Sequence, residues 1–233
     1  MNILSDGFAF IFQAGNWPGP NGIGIRLAQH VLYSVIAVAI AALIALPLGI
    51  ITGHTGRHRN LILTVTGGAR ALPTFGLLLL AILFVGIDLW PVIAVLVILA
   101  VPPILAATYA GIEGSDRAAV DGARSSGMTE LQIITRVELP LALPLIVGGV
   151  RSAILQVIAT AAIAGYVAQG TLGRFLLEGI TRHDYALAVV GAILIAALAL
   201  IADALLALTQ KFSSPTLAAP RTPTTRSLLT HSH

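Results

Sequence analysis

The 233-residue chain has no cysteine, little charge and few aromatic rings. Each shortage removes a class of function. Without cysteine there is no disulfide framework, thiolate nucleophile or Cys-bearing metal site. Charged residues make up 10% of the chain, where soluble domains carry about a quarter. The 2 Trp, 4 Tyr and 7 Phe are scattered and outline no aromatic cage for a quaternary ammonium group. The start, MNILSDGFAFIF, has no basic residue ahead of its apolar run and does not read as a cleaved signal peptide.

What fills the chain instead is apolar: 57% hydrophobic residues and a mean hydropathy of +0.93 describe an integral membrane protein. Crossing a bilayer takes about 20 apolar residues, and the windows 31–51, 61–87, 91–112, 141–167 and 185–209 meet that length. The expected fold is all-α and integral to the membrane, with about five transmembrane helices. An extracytoplasmic segment 1–27 precedes a transmembrane domain 28–212, and a Pro-, Ser- and Thr-rich tail 213–233 is expected to stay disordered in the cytoplasm. The longest polar piece, the loop 113–140, is too short for a soluble catalytic domain. The spans carry no internal His and no HExxH pattern, which speaks against an intramembrane hydrolase. His30 falls at the outer end of span one, and His54, His58 and His183 fall in loops. His231 and His233, on a free end, are poor metal ligands, and no metal is expected.

Short cytoplasmic loops retain Lys and Arg. Arg57 and Arg59 follow span one, Arg117, Arg124 and Arg136 follow span three, and Lys211, Arg221 and Arg226 follow span five. The other side holds Arg26, Arg174 and Arg182, and the turn between spans two and three carries Asp88 and no base. The amino terminus is therefore expected outside and the carboxyl tail inside. This asymmetry also accounts for the net charge of +3 without a nucleic-acid partner. On the outer side, 168–184 holds paired glycines around Thr171 and a FLLEGI run, a candidate interfacial half-helix and a surface for an external partner.

The loop between spans three and four reads as a polar helix-turn-helix. Ser115 and Asp116 suit a helix start, with Asp116 near the positive end of the helix dipole. Helical spacing puts Ala119 and Ala123 on one face, and Gly127 ends the helix. Thr129 with Gln132 forms a capping box that opens a second helix, along which Ile133 and Val137 stack, and Pro140 is expected to end it. A small-residue surface on the first helix would let another protein approach closely.

These residues resemble the EAA loop of ATP-binding-cassette importer permeases: Glu-Ala-Ala, three residues, Gly, nine residues, then Ile, one residue, Leu-Pro. Asp121-Gly122-Ala123, Gly127, Val137 and Leu139-Pro140 keep every spacing. The departures are Asp121 for Glu, Gly122 for Ala and Val137 for Ile; Gly122 weakens a helix by about 1 kcal/mol relative to Ala. The runs GMTELQIITRVELPLALPLIVGGVRSAI, YVAQGTLG and ADALLALTQKF extend the likeness to permeases of the importers for glycine betaine, choline, carnitine and proline, over roughly 28–212. In that family a Gln-Thr precedes the proline of span two, whereas Arg70-Ala71-Leu72-Pro73 stands here. The resemblance implies a bacterial plasma-membrane subunit without catalysis or cofactor of its own. It implies two copies of an ATPase that binds the ATP, a second identical or homologous permease, and an external solute-binding protein. Asp121 would contact the ATPase, Ala123 would allow close approach, Gly127 would set the turn, and Leu139-Pro140 would join loop to span.

Polar residues inside the spans are the other candidates, because a charge at mid-bilayer costs about 2.5–3.5 kcal/mol. Arg70 near Pro73 and Thr74, where a broken helix frees carbonyls, and Gln156, Thr160, Tyr166 and Gln169 on span four are candidates for the translocation path. Arg151 is expected to snorkel to the inner surface, and Asp203 to serve as a helix-packing or interfacial partner. Two rival readings keep the membrane topology: an importer of the same architecture for another solute, such as methionine or an oxyanion, and a carrier that needs no nucleotide. The latter often shows internal repeats, and none is evident here.

Overall fold

The computed structural model describes residues 2–57, 59–68, 73–167 and 170–213 and contains no strand among them. A short helix α1 (Ile3–Phe12) leads through a 3-10 turn to α2 (Ile23–Thr55). Then come α3 (Arg59–Gly68), α4 (Thr74–Val85), α5 (Leu89–Glu113), α6 (Arg117–Ser125), α7 (Glu130–Ile133), α8 (Leu139–Ala161), α9 (Gly173–Thr181) and α10 (Tyr185–Ser213). By length and composition, four stretches among the described residues are able to cross a membrane: Ile23–Thr55, Leu89–Glu113, Glu130–Tyr166 and Tyr185–Gln210.

The window 61–87, expected as one span, contains two helices instead: α3 and α4, of 10 and 12 residues, lie on either side of residues outside the described set. Pro73 caps α4 with an extended backbone, as a proline without an N–H suits the first turn and not the interior. Pro47 and the pair Pro102-Pro103, by contrast, lie inside α2 and α5, which continue through them. The helix of span one also begins earlier and ends later than its apolar window, so His30 and His54 both lie on α2 rather than at its edge and beyond it.

The core is a three-helix body of α2, α5 and α8. Membrane helices gain little by hiding apolar surface from lipid and associate through close van der Waals packing of small residues. On α2, Ala37, Ala41, Ala45, Gly49 and Gly53 recur every fourth residue, one helical face, and all are buried. A Cβ on Gly49 would lie 2.6 Å from Thr108 Cβ, and one on Gly53 2.8 Å from Ile112 Cβ, so α2 and α5 meet at a separation only glycine permits. Gly149 on α8 approaches Ala107 and the Pro103 carbonyl of α5 in the same way. His30, fully buried, ties α2 to the Ile158 carbonyl of α8 at 2.9 Å.

Outside this body, α10 packs on α8 and α9. The Arg151 guanidinium on α8 lies 2.7 Å from Asp203 and 3.0 Å from Gln210, both on α10. Asp203 thus pairs with a charge on the neighbouring helix, the helix-packing role expected of it. At the other end of the molecule, Arg26 of α2 pairs with Glu178 of α9 at 3.1 Å and lies over the Phe175 ring, fixing the half-helix α9 against the bundle.

Candidate functional site

The hairpin between α5 and α8 is built by local chemistry. Asp116 caps α6, its carboxylate accepting from the Ala118 N–H at 2.9 Å. Gly127 ends α6 with φ +81°, the left-handed backbone that glycine adopts without steric cost. Around it the Gly127 N–H donates to the Arg124 carbonyl and the Met128 N–H to the Ala123 carbonyl, a Schellman closure. Thr129 and Gln132 then form both arms of a capping box, and α7 begins.

Pro140 does not end the second helix. Ile134–Glu138 form a π turn that leads directly into α8, so Glu130–Tyr166 runs on as one helical stretch. A proline ring collides with the carbonyl four residues earlier and offers no N–H. The wider π turn placed just before it relieves that collision without breaking the axis. The hairpin is thus one short helix, a tight turn, and the first turns of a transmembrane helix.

No residue of α6 is buried. Its outward stripe, Ala118, Gly122 and Ser126, is exposed, and a Cβ on Gly122 would meet nothing within 4 Å. Of the matched loop positions, Asp121 is exposed and 3.5 Å from Arg124, Ala123 and Val137 are half-buried, and Leu139 packs against the Ile112 cluster. Ile133 on the inner face of α7 is fully buried, while Leu131 stands 70% exposed.

A chain of polar contacts, not anticipated from the sequence, attaches the hairpin to the bundle. Arg124 of α6 forks onto both oxygens of Glu130 of α7, at 2.9 and 3.0 Å. This hydrogen-bonded pairing holds the Glu130 carboxyl below its ordinary range and raises Arg124. The second Glu130 contact is His54 Nε2 on α2, at 3.2 Å, and His54 Nδ1 lies 2.7 Å from Glu138, a carboxylate only 5% exposed. The α2 imidazole therefore bridges Glu130 and Glu138 on the stretch that runs into α8, beside a polar cavity of about 230 Å³ lined by residues of α2, α5 and α6 and by Glu138.

The candidate path residues are brought together only in part. Gln156 is exposed and Thr160 half-buried on α8, and Tyr166, which closes the 3-10 turn after α8, is 45% exposed, its ring edge-to-face with Phe75 of α4 at 5.8 Å. Pro73 and Thr74 open α4, so that contact joins the two regions. Arg70 and Gln169 lie outside the described residues, as do His58 and residues 214–233 of the tail. Among the described residues no group of His, Asp and Glu is arranged to hold a metal ion.

Residues 45–212 match the family described as "Binding-protein-dependent transport system inner membrane component". The carnitine transport permease protein OpuCB of Listeria monocytogenes is 33% identical over 179 residues, 77% of this chain and 82% of that protein. The glycine betaine/carnitine/choline transport system permease protein OpuCB of Bacillus subtilis is 30% identical over 190 residues, covering 82% and 88%. Among solved structures, inward-facing forms of the MetNI methionine ABC transporter share the fold with a TM-score of 0.70 at 19% identity, over 80% of this chain and 94% of that one.

Proposed function

The chain belongs to the family of binding-protein-dependent transport system inner membrane components, a multi-pass permease of the plasma membrane, and on that footing we propose how it works and what it carries. The solute is a compatible solute of the glycine betaine, carnitine, choline or proline class. Support comes from relatives at 30–33% identity that span most of this chain and are named for carnitine, choline and glycine betaine. Discrimination among these falls to the external binding protein, consistent with the scatter of aromatic residues along the chain.

The hairpin faces the cytoplasm and docks an ATPase, in an assembly of two ATPase and two permease subunits. One observation carries this reading: the exposed small-residue face of α6 is held in fixed geometry to a helix that continues into the membrane. ATP-driven closure of the ATPases would press on α6 and tilt α7 and α8 as a rigid body. The chain contributes positioning and no bond chemistry, and ATP stays on the partner. The solute would pass along the α8 face that carries Gln156 and Thr160, near Tyr166 and the opening of α4.

The test is co-purification with the cognate ATPase, followed by uptake of glycine betaine, carnitine, choline and proline. Wild type should retain the ATPase, whereas Asp121→Lys and Gly127→Pro variants that still insert should lose it. Equal retention by all three would remove the hairpin as the docking site. Uptake of none of the four, with the ATPase retained, would overturn the solute class alone.

A further inference from the structure

We propose that His54 is the residue that passes the hairpin's movement to span one, a positioning residue for coupled transport that acts through Glu130. The inference rests on the docking role proposed for the hairpin.

None of α6 is buried, and its turn is closed by contacts internal to the hairpin. The polar tie to α2 runs through the His54 ring, with Glu130 Oε2 on Nε2 and Glu138 Oε2 on Nδ1. The two carboxylates differ in kind. Glu138 is 6% exposed at its side chain and sits at the end of the π turn, so its contact fixes the ring. Glu130 is 55% exposed and shared with Arg124 of α6, so its contact carries displacement of the first hairpin helix. The Glu130 arm is therefore the one that α6 reaches, through Arg124.

His54 is also placed where a small push moves a large body. It follows Gly53, the last member of the small-residue stripe on α2, whose backbone lies against Ile112 of α5. Because α2 and α5 are that close, the end of α2 cannot shift without taking α5 with it. Immediately after it, Gly56 turns the chain with φ +65°, so the last turn of α2 is a defined end to push against. His54 also sits in the last turn of α2, where a basic side chain suits the helix dipole.

Two substitutions separate the arms of the imidazole. Asparagine carries its amide nitrogen near the position of Nδ1 and keeps the Glu138 contact; glutamine carries its nitrogen near Nε2 and keeps the Glu130 contact. The experiment uses the assembled transporter in proteoliposomes with its binding protein, reading uptake and ATP hydrolysis together, with whichever of glycine betaine, carnitine, choline or proline the wild type takes up. For His54→Asn the ATPase should remain bound and hydrolysis should persist, while uptake per ATP falls on the order of tenfold, the size of an ordinary coupling free energy. His54→Gln should restore most of the uptake per ATP. Parallel loss of uptake and hydrolysis in both variants would mean a structural role only, and unchanged uptake per ATP in His54→Asn would overturn the proposal. Failure of the wild type itself to retain an ATPase would instead refute the docking reading on which it rests.

Discussion

The molecule carries two small-residue stripes of the same spacing and opposite fate. On α2, Ala37, Ala41, Ala45, Gly49 and Gly53 are all buried against neighbouring helices. On α6, Ala118, Gly122 and Ser126 repeat every fourth residue with nothing over them. In both, the missing side chains invite another surface to approach the backbone. The covered stripe meets its counterpart within the chain, and the bare one is the shape of a contact whose other half lies in a separate subunit.

Adding bulk to each stripe breaks the comparison most sharply. Gly49→Leu should prevent assembly of the bundle, because even a Cβ there meets Thr108 at 2.6 Å; overpacking costs about 1–3 kcal/mol or more. It should appear as loss of the monodisperse peak in detergent. Gly122→Leu should leave that peak in place and not lower the Tm while retention of the ATPase drops. If the two changes gave the same defect, the stripes would not differ as described.

Weaker substitutions sharpen the contrast. Thr129→Ala removes one arm of the capping box and should cost the hairpin about 1 kcal/mol, seen as faster amide exchange at Glu130–Ile133 with exchange in α2 and α5 unchanged. Gly122→Ala has open space for its methyl and should stabilise α6 by up to about 1 kcal/mol, slowing exchange there, whereas Gly49→Ala should destabilise the bundle.

The smallest expected effect is electrostatic. Glu130 has its folded carboxyl held below the ordinary value by Arg124. Its contribution to hairpin stability is thus complete above the unfolded value of about 4.3 and is lost as pH falls through the lower folded value. Amide exchange in α6 and α7 should be flat in this respect from neutral pH down to about 5, then quicken below about 4. Added salt should weaken the same pair, since both partners are about half exposed.

Legibility followed the range of the interactions. Asp116, Gly127 and the Thr129–Gln132 box were readable because a cap is decided within four residues of chain. Pro140 reads as a stop because the rule that proline ends a helix assumes regular turns upstream, whereas a π turn supplies the room here. The window 61–87 reads as continuous because hydropathy does not register the extended backbone at Pro73, where α4 starts. The Arg151–Asp203 and His54–Glu138 contacts join residues 52 and 84 positions apart, a pairing that only the packed bundle determines. The matched loop positions were found by spacing, yet His54, three helices away in the chain, carries no local signal at all.

The unbroken passage from α7 through the π turn into α8 gives the spacing of the loop an angular meaning. At about 3.6 residues per turn, each residue inserted between Gly127 and Pro140 would rotate α8 by roughly 100° relative to the docking helix. Gln156 would then point in a different direction relative to α6. The interval between the turn and the membrane helix is in this sense a phase setting: lengthening it by a single residue would leave both surfaces intact and aim them in unrelated directions.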